Sequence, residues 1–131
     1  MQTGEFVAAF REAFGPVPEL PLLFRYTDEP LRPAAKAGGC FFKALAEARD
    51  GRPVGLNASN IGCGGGKFYT GFSPMPEFVP QFVSLKERYK QTPEMVLDFI
   101  AALDLRPAPK AWIEFVRVDA AGTFEGAEGV L

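Results

Sequence analysis

The sequence predicts a single-domain α+β (or α/β) protein: a mixed sheet of about four strands with amphipathic helices packed on it. Three observations predict this class. Helical and strand periodicities interleave along the chain, 47 % of its 131 residues are apolar at a formal charge of −2, and 14 Gly and 12 Pro punctuate the periodic segments. A chain of this length buries enough surface to fold without disulfides or a structural metal. The domain is expected over 1–118, with the Gly- and Glu-bearing stretch 119–131 as a flexible C-terminal tail.

Each element has its own signal. Phe6, Val7, Phe10 and Phe14 recur at helical spacing, Thr3 can serve as N-cap and Gly15-Pro16 stops the turn, which gives a helix over about 4–14. After the Pro16-Val17-Pro18 break, Leu20 to Thr27 reads as a strand and Asp28 to Gly39 as a loop. Cys40 opens a second helix, with Phe41, Ala44, Leu45 and Ala48 on one face and Gly51 as its stop. Val54, Leu56 and Ala58 alternate as a short strand, and the aromatic run Phe68 to Phe72 reads as another, fed by a glycine turn. Pro74, Pro76 and Pro80 argue against helix or central strand in the crossing loop.

Two helix starts follow. Ser84-Leu85-Lys86-Glu87 has the form of a capping box, and Thr92-Pro93-Glu94 combines an N-cap, a proline at the first helical position and an acid at the positive end of the dipole. The second of these helices places Val96, Phe99, Ile100 and Leu103 on one face before Arg106-Pro107 ends it. Ala111 to Val118 reads as a strand.

Composition excludes several chemistries. There is no His, hence no Ser-His-Asp or Cys-His nucleophile pair, no imidazole base and no imidazole metal ligand. The N-terminus lacks a basic leader region, and no apolar run approaches the roughly 18 residues of a membrane span, so the expectation is a cytoplasmic protein with reduced thiols. From Arg25 to Lys90 ten basic residues face six acids, while the two ends together are acidic. That asymmetry hints at an anionic partner but is too mild for nucleic acid, which wants a basic stripe. Lys86 and Lys90 share a helical face with Arg88 roughly opposite, a pattern of solvated charges.

Chemistry concentrates at Gly62-Cys63-Gly64-Gly65-Gly66-Lys67. Four glycines in five positions strip away Cβ atoms, so backbone N–H groups can converge on an anion, with Lys67 as a point charge and Tyr69 nearby. The phosphate fingerprints fail when counted. A P-loop ending at Gly66-Lys67 would need glycine at position 61, which is Ile61, and a hydroxyl after the lysine, where Phe68 stands. Either dinucleotide register would need its third glycine at Lys67 or Tyr69. A plain turn explains the glycines equally well.

Cys63, flanked by N–H donors and Lys67, is a candidate reactive thiolate. Cys40 sits at a helix start, where the dipole also favours an anion. Together, Cys40 and Cys63 could form a reversible disulfide, half of a site for a metal ion or iron–sulfur cluster, or two inert thiols; their spacing matches no zinc or ferredoxin pattern. Three readings therefore stand: a module binding a small anionic ligand or metal, a thiol-dependent enzyme or redox sensor, and a structural or assembly domain.

The order of Cys40, the helix end Ala46-Glu47-Ala48-Arg49-Asp50-Gly51, the loop Cys63-Gly64-Gly65-Gly66, Tyr69-x-Gly71-Phe72, Val83 to Tyr89 and Thr92-Pro93-Glu94 resembles the ArCR family, domain of unknown function 169. The resemblance runs from about Leu20 to Val118. It implies two cysteines at matching positions and a Gly-rich loop between strands. It also implies further strands and another cysteine-bearing segment beyond Val118, so this chain corresponds to the N-terminal portion: a short relative, a fragment, or a chain completed by a partner, in which case the 111–118 strand would offer an unpaired edge to a homo-oligomer or a partner chain.

Overall fold

The computed structural model describes residues 2–16, 19–34 and 40–131; Val17 and Pro18 of the expected break and 35–39 of the expected loop lie outside them. The elements run α1 (Thr3–Phe14), β1 (Leu22–Thr27), α2 (Phe41–Arg49), β2 (Val54–Leu56), α3 (Gly64–Tyr69), α4 (Val79–Gln81) continuing into a π-helical turn (Phe82–Lys86), α5 (Pro93–Ala102), β3 (Trp112–Arg117), α6 (Val118–Ala121) and β4 (Gly129–Val130). The class is α+β, with a four-stranded sheet in the order β2-β3-β1-β4. The sheet expected to be mixed is antiparallel in all its strand pairs; among the described residues a parallel contact enters only as the isolated bridge between Pro33 and Gly55.

Side chains alternate across this sheet, so each face has its own core. Leu22, Val54, Leu56, Ile113 and Phe115 point to α2, where Ala44 and Ala48 bury against them; those small residues let the helix backbone approach closely. Leu23 and Val116 point the other way, to Val7 of α1 and Val118 of α6. The phenylalanine stripe of α1 closes on the C-terminal residues, Phe6 meeting Phe124 edge-on with centroids 5.5 Å apart. Among the described residues no helix is long and apolar enough to cross a membrane.

Several expectations change. The N-cap of α1 is Gln2, whose backbone N–H donates to Glu5 Oε2 at 3.0 Å, while Thr3 is buried inside the helix. The strand expected to offer a free edge, β3, is internal, flanked by β2 and β1, because 22–27 pairs along its whole length. Residues 119–131, expected as a tail, carry α6 and β4; the Leu131 N–H donates to Leu22 O at 2.7 Å, and that of Leu22 to Leu131 O at 3.0 Å. Ser84 caps nothing. Helix begins earlier, at Val79 with Pro80 in its first turn, where a missing N–H costs nothing, and the buried Ser84 hydroxyl donates back to Pro80 O at 2.7 Å. The expectation at Thr92 holds, its hydroxyl accepting the Met95 N–H at 3.3 Å.

Candidate functional site

The Gly-rich segment is reached from β2 through a tight Asn-rich turn. Asn57 Oδ1 accepts from the Ser59 and Asn60 N–H groups, and the buried Asn60 amide in turn accepts from Asn57 N and donates to Gly55 O at 3.1 Å. These bonds fix where the chain emerges, and Ile61 drops into the α2-side core.

The run expected as a strand, Phe68 to Phe72, is not one: Phe68 and Tyr69 end α3, whose first three residues are Gly64, Gly65 and Gly66, and Thr70 to Phe72 turn the chain after it. Glycine is a poor helix former, so local propensity gives no hint of this. Two tertiary features override it. Cys63 acts as N-cap, its Sγ accepting the Gly66 N–H at 3.2 Å. Gly66 then packs where no side chain fits, since a Cβ there would stand 2.9 Å from Cys63 Sγ, 3.1 Å from Ile61 Cγ2 and 3.1 Å from Phe41 Cβ. The far end of α3 is clamped as well. The Thr70 hydroxyl donates to Gly66 O at 2.6 Å, and the Tyr26 hydroxyl donates to Thr70 O at 2.8 Å. Burial, and secondarily the Glu128 carboxylate, push the Tyr26 phenol above its usual range. Gly71 follows at φ 78°, with Arg106 O only 2.4 Å from where a Cβ would lie, and its own carbonyl accepts the Ala108 N–H at 2.9 Å.

Gly64 and Gly65 differ from Gly66. Both are exposed, neither takes a left-handed conformation, and a Cβ would meet nothing within 4 Å at Gly65 and only an ordinary 3.6 Å contact with Pro76 at Gly64. Among the described residues their N–H groups have no protein acceptor, as at any helix start left open to solvent. Lys67 is half-buried one turn on and makes no ion pair among the described residues, and Tyr69 is exposed beside Phe68. Gly62 is exposed just before the cap.

The cysteines part company. Cys40 is exposed at the start of α2, Cys63 is half-buried under α3, and the two are not close, so they form neither a disulfide nor a shared two-thiol metal site. Among the described residues no group of three or more Cys, Asp or Glu side chains is gathered as a metal site.

A family model, the uncharacterised ArCR domain of unknown function 169, matches residues 19–116. The chain belongs to the ArCR family. No curated protein and no solved structure matches it. The ArCR match takes in β1, α2, β2, α3, α5 and nearly all of β3, hence the whole α2-side core together with the Cys63 helix start.

The most deeply buried polar side chain among the described residues went unread in the sequence. Glu114, in the middle of β3, has no exposed surface; Oε2 accepts from Arg25 Nε at 2.9 Å and lies 2.7 Å from Nη2 of the same guanidinium in an ion pair, and Oε1 accepts the Leu31 N–H at 2.6 Å. The signal was an acid inside the apolar strand Trp112-Ile113-Glu114-Phe115-Val116 matched by Arg25 inside Leu22 to Thr27. Those two residues are direct cross-strand partners, and through Leu31 the carboxylate pins the segment after β1 over Gly55.

Proposed function

We propose that this ArCR domain is a small-ligand-binding module that takes an oxyanion at the N-terminus of α3, between the Gly64 and Gly65 N–H groups and the Lys67 ammonium. One observation carries the reading. Gly64 and Gly65 stand in helical conformation where neither backbone geometry nor packing asks for glycine, at a cost of up to about 1 kcal/mol each relative to alanine. A bare backbone suits close approach of a ligand to those two donors, which the positive end of a helix also favours.

Inorganic phosphate is the test ligand, titrated while the Gly64 and Gly65 amide resonances are followed. Saturable shifts at both amides, weakened about tenfold by Lys67→Ala, support the reading. Equal behaviour of Lys67→Ala and the wild type, or no shift at either glycine, overturns it. A second reading makes Cys63 a reactive thiol, favoured by the Gly66 N–H held on its sulfur. That reading requires Cys63 to alkylate at neutral pH faster than a free thiol, whereas a slower rate excludes it.

A further inference from the structure

The excursion between α3 and β3, closed at its base by Gly71 and Ala108, carries a groove of about 760 Å³ whose walls include Ser84, Leu85, Arg88, Tyr89, Lys90 and Met95. Regular helical spacing would set Arg88 opposite Lys90. The structure does otherwise, because the helix is unwound by the π turn Phe82–Lys86 and Arg88 then takes φ 58°, a left-handed conformation rare for a residue with a Cβ. The reversal brings both cations onto one groove.

We infer that this groove binds an organic anion with a flat apolar body, of the nucleoside-phosphate class, independently of the α3 site. Charge complementarity gives the anion: both charged wall residues are cations, and neither has a carboxylate partner among the described residues. Glu87 and Glu94 neighbour the groove in sequence but do not line it. The remaining wall gives the apolar body. Leu85, Tyr89 and Met95 are exposed large apolar side chains, with Tyr89 at 77 %, and a phenol ring, a thioether and a guanidinium are the groups that stack on a planar ring. The volume is that of a small-molecule site rather than of a bare ion. The Lys90 ammonium lies 4.9 Å from the Phe99 ring centroid, a cation–π contact rather than an ion pair. Backbone strain at Arg88, together with a π turn directly before it, is the kind of local cost that persists at binding sites.

The experiment titrates the full chain with ADP, adenosine and pyrophosphate at low ionic strength, reading affinity by calorimetry and location by the Met95 methyl resonance. ADP is expected to shift that methyl saturably, with adenosine and pyrophosphate each at least about tenfold weaker. Arg88→Gly keeps the left-handed backbone while removing the guanidinium, so it should weaken ADP at least about tenfold without lowering the melting temperature. No Met95 shift at millimolar ADP, an affinity unchanged in a folded Arg88→Gly variant, or pyrophosphate binding as tightly as ADP would each overturn the inference.

Discussion

Replacing Glu114 by alanine tests how the sheet holds the segment after β1. The side chain has no exposed surface, accepts one hydrogen bond from Arg25 Nε and one from the Leu31 backbone, and forms an ion pair with the Arg25 guanidinium. Breaking a fully buried ion pair by deleting one partner costs about 3–5 kcal/mol, mostly because the other charge is left uncompensated. Arg25 retains 20 % side-chain exposure, so water reaches its guanidinium and the expected loss falls to about 2–4 kcal/mol. Glu114→Gln keeps the volume and an acceptor for Leu31 while giving up the charge, for a loss of about 1–2 kcal/mol. Urea unfolding of Glu114→Ala, Arg25→Met and the double variant gives the pair's coupling, expected to exceed about 1 kcal/mol, and amide exchange at Leu31 should accelerate in the alanine variant. A Glu114→Ala protein within about 0.5 kcal/mol of wild type, or a coupling near zero, refutes the reasoning.

Gly71→Ala combines a left-handed backbone with a Cβ 2.4 Å from Arg106 O, so it should destabilise by about 2–4 kcal/mol in thermal or urea melts. Gly65→Ala, with open space around the new methyl, should instead stabilise by up to about 1 kcal/mol while weakening phosphate binding. At the acid side, the hydrogen bond and charge of Arg117 hold the Asp119 carboxyl below its usual range; its contribution is present above about pH 4 and is lost as pH falls through the folded-state value, a dependence Asp119→Asn should flatten. At the alkaline side the Tyr26 phenol is raised, so its contribution is complete below about pH 10 and is lost as pH rises through the folded-state value. Tyr26→Phe should remove that alkaline dependence and cost about 1 kcal/mol at neutral pH for the bond to Thr70.

Where local pattern and tertiary packing agree, the residues announced their structure. Phe6, Phe10 and Val7 mark α1, Ala44 and Ala48 mark α2, and Thr92-Pro93-Glu94 marks the start of α5, each through a periodicity or a cap that also serves the folded core. The departures have physical causes beyond any local window. Three glycines enter α3 because the Cys63 thiol caps them and because Phe41 and Ile61 leave Gly66 room for no side chain. Ser84 resembles a cap only if Pro80 is taken as a helix breaker, when it sits in the first turn. β3 looked like an edge because the strands that the resemblance implies beyond Val118 are not in this sequence, whereas its actual partners, 22–27 and 54–56, lie far back in the chain. The clustering of glycines over Gly62–Lys67 was visible in the sequence, whereas their entry into a helix was not. Arg88 and Lys90 were not visible as a pair, since a π turn and one left-handed residue rearrange the spacing that separates them.

The central pairing of β1 with β3 also bears on how this protein is made. Arg25 and Glu114 are 89 positions apart, and both faces of the sheet draw on the two strands that they join. A ribosome releasing the chain from its N-terminus exposes Leu22, Leu23 and Phe24 long before Ile113, Phe115 and Val116 exist to cover them. Such non-local pairing slows folding and lengthens the life of bare apolar strand. The core therefore cannot close until Ile113 to Val116 have been made, and until then β1 is a natural client for a chaperone.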